Sequence, residues 1–119
     1  MIGGFIMPWM NVVTGMKLSE AQQKEIKAGF ASVMQQVLDK KESGLNVTFI
    51  STDGFYRGGE SATNAAAIDV KYINKATAPQ KQEIYNAVAD IMIKIADSDP
   101  AKVIVLFSEF LDEDYCRKK

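Results

Sequence analysis

The stretch Ser19-Glu20-Ala21-Gln22-Gln23-Lys24-Glu25-Ile26 returns, 58 residues later, as Thr77-Ala78-Pro79-Gln80-Lys81-Gln82-Glu83-Ile84. Each copy opens on a hydroxyl residue with a glutamine three positions on. That is a capping box, in which the two side chains satisfy backbone N–H groups that a helix start leaves without partners. Pro79 falls in the first turn, where its missing N–H removes no helical bond. Behind each box the apolar residues recur at helical spacing: Ile26, Phe30, Val33 and Val37 in one copy, Ile84, Val88, Ile91 and Ile95 in the other. Gly44 and the Lys40-Lys41 pair mark the end of the first helix, and Pro100 lies beyond the end of the second.

The register extends outward from the helices without a gap. At the same offset Val12 meets Val70, Lys17 meets Lys75, Asp39 meets Asp97, Val47 meets Val105 and Phe49 meets Phe107. One spacing therefore carries strand, cap, helix and strand, which marks a duplicated β-α-β unit rather than two similar helices. The strands are short and rich in β-branched or aromatic residues: Trp9–Thr14, Leu45–Ser51, Ala67–Ile73 and Val103–Ser108. Asp53 to Glu60 reads as a loop or short hairpin. The tail from Asp112 is charged and exposed, with room for a further short strand near Phe110, and Glu109 groups with the tail's acids. A crossover helix makes the two strands of each unit parallel and right-handed. The expectation is an α/β (α+β) chain with a four-stranded mixed sheet and two helices on one face. It is a single domain over 1–119, with repeat units at about 8–51 and 66–108 and an N-terminal extension, 1–7. The uncovered sheet face mixes Asn11, Thr48, Asp69 and Lys71 with apolar residues, which suits packing against other copies of the chain.

Composition removes whole classes of chemistry. The chain has no His and one Cys, so imidazole triads, zinc spacings and intrachain disulfides are not expected. A net charge of −1 offers nothing to nucleic acid or an anionic membrane. No apolar run reaches the roughly 18 residues that span a bilayer. The first residues lack the basic segment of a secretory signal, so a cytoplasmic location is expected.

The Met7-Pro8 start of the first strand, the duplicated unit and Gly54-Phe55-Tyr56-Arg57-Gly58-Gly59-Glu60 together resemble the tautomerase superfamily. The glycine-rich segment is similar to the hairpin after the second strand of 4-oxalocrotonate tautomerase. Chain length and duplication are similar to macrophage migration inhibitory factor (MIF). The resemblance implies a tautomerase/MIF-like fold, a homotrimer, and keto–enol proton transfer on a small carboxylate substrate by an N-terminal prolyl amine, with no cofactor and no metal. It makes Pro8 the candidate base, provided processing leaves it N-terminal. Arg57, Lys40, Lys17 and Phe55 become the candidate substrate-binding residues; Met16 matches the Lys17 position equally well.

The sequence departs from that pattern in its start and in its pocket donors. Behind Met7, Pro8 is a tertiary amide with no basicity. Met7-Pro8 is a natural start, since methionine removal leaves a free prolyl amine, and Met1–Ile6 then becomes an upstream misreading of the start. The alternative is a catalytically inactive trimeric binding protein, blocked at Pro8 by residues 1–7; a dimeric ferredoxin-like module is a third reading. Finally, Thr48 stands where short members carry an Arg, and Ile104 and Leu106 where MIF-like members carry a Tyr and an Asn. Set against the resemblance, the loss of these donors implies a more apolar pocket, or no activity.

Overall fold

The structure, a computed structural model, describes residues 8–40 and 44–116. Among the described residues, six strands and two α-helices run in the order β1 (Trp9–Thr14), α1 (Glu20–Leu38), β2 (Asn46–Ser51), β3 (Tyr56–Arg57), β4 (Glu60–Ser61), β5 (Ala66–Ile73), α2 (Ala78–Ala96) and β6 (Val103–Phe110). The main sheet has the order β2-β1-β5-β6, and β3 and β4 form a separate hairpin. β1 and β2 are parallel, as are β5 and β6, while β1 and β5 meet antiparallel at the centre. The register repeats with the sequence: Trp9 pairs with Asn46, and its repeat mate Ala67 with Ile104. Asn11 pairs with Asp69, its own repeat mate, so the internal two-fold axis passes between them.

Both capping boxes form. Ser19 Oγ accepts from the Gln22 amide (3.1 Å) and Gln22 Oε1 from the Ser19 amide (2.9 Å); Thr77 and Gln80 repeat this at 3.2 and 2.8 Å. The first helix ends differently from the expectation, while Pro100 lies beyond the end of α2 as expected. α1 stops at Leu38, because Asp39 takes the left-handed conformation (φ 56°) and returns its N–H to Gln35. Asp97, its repeat mate, ends α2 in the same way (φ 57°). Gly44 and Lys40 thus lie past the helix, and Lys41 lies outside the described residues.

The core lies between the helices and one sheet face. Met10 and Val12 of β1, Ile68 and Val70 of β5, Ile26, Phe30 and Met34 of α1, and Ile84, Val88 and Met92 of α2 are all buried. Gly29 lets the helices close up, since a Cβ there would lie 2.8 Å from Ile91 Cδ1. The opposite sheet face is open. Alternation along the strands places Trp9, Ile50, Ile104, Leu106 and Phe110 on it, all exposed. Asn11 and Thr48 also lie there: Thr48 Oγ1 donates to Asn11 Oδ1 (2.6 Å) and accepts from Trp9 Nε1 (3.0 Å).

Candidate functional site

Pro8 lies immediately before β1 and is buried. Its carbonyl accepts a hydrogen bond from the Asn46 amide (2.9 Å), which ties it to the start of β2. Its neighbour Trp9 pairs with Lys71 near the end of β5. At this end of the sheet β1 and β2 begin, while β5 and β6 finish. A cavity of about 460 Å³ opens here, with Trp9, Phe110 and Tyr115 among the residues that line it. The polar residues Asn46, Lys71 and Asp114 line the same cavity.

Lys40 is at this end too, because α1 runs back antiparallel to β1 and its C-cap comes just before Lys40. The Lys40 amide bonds to the Met34 carbonyl (3.1 Å) and its side chain is half-buried. Burial lowers the Lys40 pKa, and attraction to Asp39 offsets part of that. The other candidates are at the opposite end. Lys17 is exposed in the turn after β1, and Phe55 is half-buried after β2, its carbonyl accepting from the Ala62 amide (2.7 Å). Arg57 sits in β3, where a guanidinium N–H donates to the Ala101 carbonyl just before β6 (2.6 Å). Gly58, at φ 63°, supplies the positive φ that the two-residue turn between Arg57 and Glu60 needs. A six-residue strand is roughly 20 Å long. Within one chain, therefore, Pro8 and Lys40 share an end of the sheet, and Lys17, Phe55 and Arg57 do not reach it.

Sequence reasoning passed over Tyr72 and misplaced Glu109. Glu109 is no part of an exposed tail; it occupies a helix-facing position of β6. Its Oε2 accepts from the Tyr72 hydroxyl (2.8 Å) and the Ala76 amide (2.8 Å), with Lys81 Nζ at 3.3 Å. Burial works to raise the Glu109 pKa, but these donors outweigh it and hold it below the usual carboxylate value. Burial first, then the bond to Glu109 and its charge, push the Tyr72 phenol well above its ordinary value. A signal existed: Val103, Val105 and Phe107 face the helices, and the same alternation continued two residues further reaches Glu109.

No family model matches the sequence, and no curated protein does. Solved structures do match. MIF of Toxoplasma gondii superposes with a TM-score of 0.83 at 16% identity, covering 92% of this chain and 95% of that one. A fused 4-OT asymmetric trimer gives 0.82 at 11%, covering 92% and 91%. The protein Pt0534, inactivated by 2-oxo-3-pentynoate, gives 0.81 at 15%, covering 90% and 89%. Duplicated β-α-β units, a β2-β1-β5-β6 sheet and these superpositions lead to one conclusion: the chain has the tautomerase-superfamily fold.

Proposed function

We propose that the chain is a cofactor-independent tautomerase or isomerase that interconverts keto and enol forms of a 2-oxo carboxylate, with Pro8 as the base once it is the N-terminal residue. The observation that carries this is the position of Pro8: buried, at the head of β1, beside Trp9 and its aromatic-walled cavity. A secondary amine placed there loses hydration in its protonated form, which lowers its pKa toward neutrality and suits it to take a proton from carbon. The nitrogen accepts the proton next to the substrate carbonyl, the electron pair moves onto the carbonyl oxygen, and the proton is returned at oxygen; the reverse path restores the ketone. A 2-oxo acid inactivates Pt0534, a protein of the same fold, which supports that substrate class.

Association belongs to the same proposal. Three copies, their open sheet faces turned toward a common axis, would bury Ile50, Ile104 and Leu106 and bring one copy's β3–β4 hairpin to a neighbour's Pro8 end. The separation of Pro8 from Arg57 within one chain and the trimeric 4-OT neighbour favour this arrangement. A second reading, an inactive binding protein of the same fold, is favoured by the Met7–Pro8 peptide bond, which removes the amine.

Ketonisation of phenylenolpyruvate separates the two readings. The chain beginning at Pro8 is expected to turn over, and Pro8→Ala in that form to lose about a hundredfold or more in kcat/KM. The chain beginning at Met1 is expected to be inactive. Incubation with 2-oxo-3-pentynoate should add one inhibitor mass only to the form with a free prolyl amine. A form beginning at Pro8 that shows neither turnover nor labelling would leave the binding-protein reading.

A further inference from the structure

We propose that Lys71 is the carboxylate-binding cation of the Trp9 cavity, and that Asp114 restricts the cavity to ligands with a single carboxylate on a flat apolar body. The proposal rests on the reading of this cavity as the functional site. It names two residues that the sequence did not nominate.

Lys71 is exposed on the open sheet face, directly across from Trp9 in the antiparallel β1–β5 pair. It borders two spaces at once: the cavity of about 460 Å³, and a second hollow of about 530 Å³ on the open face that also touches Asn11 and Thr48. Trp9 is the other residue common to both. Among the described residues, no carboxylate lies within ion-pair distance of the Lys71 ammonium. It is also the one cation on the wall of the 460 Å³ cavity as formed by the described residues. The remaining wall is largely aromatic, with Trp9, Phe110 and Tyr115 offering faces to a planar body, and the volume suits a small organic acid.

Asp114 supplies the opposite constraint. Asp114 lines the same cavity, and the Leu111 amide bonds to its Oδ2 (2.9 Å), which holds the carboxylate in place. A ligand with one carboxylate pairs with Lys71 and leaves its apolar body against the rings. A second carboxylate would find no second cation among the described residues of this wall and would approach Asp114, a like-charge contact that selects against dicarboxylates.

Trp9 is the only tryptophan of the chain, so its fluorescence reports this cavity without requiring turnover or a free prolyl amine. In the full chain, 3-phenylpropionate is expected to change that emission with an affinity about tenfold above its neutral amide, as for a hydrogen bond to a charged group. Lys71→Gln should erase the difference and Lys71→Arg restore it, with thermal melts showing that both fold. Added salt should weaken the acid and not the amide. Phenylsuccinate should bind poorly and gain about fivefold in Asp114→Asn, whose side-chain oxygen still accepts from Leu111. Equal binding of acid and amide, no response to the acid, or an unchanged acid affinity in Lys71→Gln would overturn the proposal. Turnover at Pro8 with acid binding indifferent to Lys71 would sink this inference and leave the proline reading. Acid binding lost in Lys71→Gln, without turnover by the form beginning at Pro8, would do the reverse.

Discussion

Glu109 is the residue whose chemistry most depends on its neighbours. One oxygen gathers the Tyr72 hydroxyl, the Ala76 amide and the Lys81 ammonium, joining β5, the entry to α2 and β6. The amide lies just ahead of the Thr77 N-cap, where a helix favours negative charge. Tyr72→Phe removes one donor to a charged acceptor and is expected to cost about 1.5 kcal/mol in a denaturant titration. The pH dependence has a definite sign. Because folding holds the Glu109 pKa below its ordinary value of 4.5, its stabilisation is fully present above that value and lost as pH falls through the depressed one. The stability difference between the native chain and Glu109→Gln should therefore shrink with acidification below that point. A difference that stays constant down to the acid limit would show that the carboxylate charge contributes nothing.

At the scale of elements, the repeat controls how the helices hold each other. Beyond its capping box, Gln22 donates through Nε2 to the Ile95 carbonyl (3.1 Å), and Gln80 donates to the Val37 carbonyl (3.3 Å). Gln22 and Gln80 are repeat mates, as are Val37 and Ile95, so each helix start caps the last turn of the other. Gln80→Ala loses one arm of the box and this crossing bond, an expected cost of about 1 kcal/mol by chemical denaturation. The C-caps offer the opposite change. Asp97 occupies a left-handed conformation that costs a non-glycine residue energy. Asp97→Gly is expected to raise stability by about 0.5 kcal/mol, the relief of strain exceeding the added backbone entropy. Gly29 shows packing overriding propensity. Alanine is the better helix former, yet its Cβ would press on Ile91, so Gly29→Ala should lower the thermal midpoint.

At the scale of the whole molecule, the proposed association rests on the open sheet face. Leu106 is 57% exposed, Ile50 47% and Ile104 37%, all on one surface opposite the core. An apolar surface so placed is what the proposed association would bury. Sedimentation equilibrium is expected to give a mass above that of one chain. Leu106→Glu should shift it toward the monomer while the helical circular dichroism signal persists, since Leu106 takes no part in the core. A native chain that sediments as a monomer would remove the proposed assembly.

Much of this was legible in the residues because the decisive interactions are local or repeated. Capping boxes act over three positions, amphipathic stripes over four, and strand alternation over two. The duplication tied those local readings to one offset, from which it follows that the β1–β2 and β5–β6 registers match each other. What the sequence did not disclose depends on contacts between distant segments. Asp39 ends α1 before Gly44 because an αL carboxylate residue is tolerated where the chain must turn toward β2. Glu109 leaves the acidic tail because β6 continues two residues beyond Ser108 and faces α2. The candidate site separates for the same reason. Pro8 and Arg57 are both near strand ends in the sequence, but only the direction of β1 and β2 shows that these are opposite ends of the sheet. The sequence by itself determined the scaffold, because periodicity and caps are written along the chain. Which charges face the Trp9 cavity was decided by tertiary structure, because strand pairing set Lys71 across from Trp9 and folded Asp114 back against the same wall.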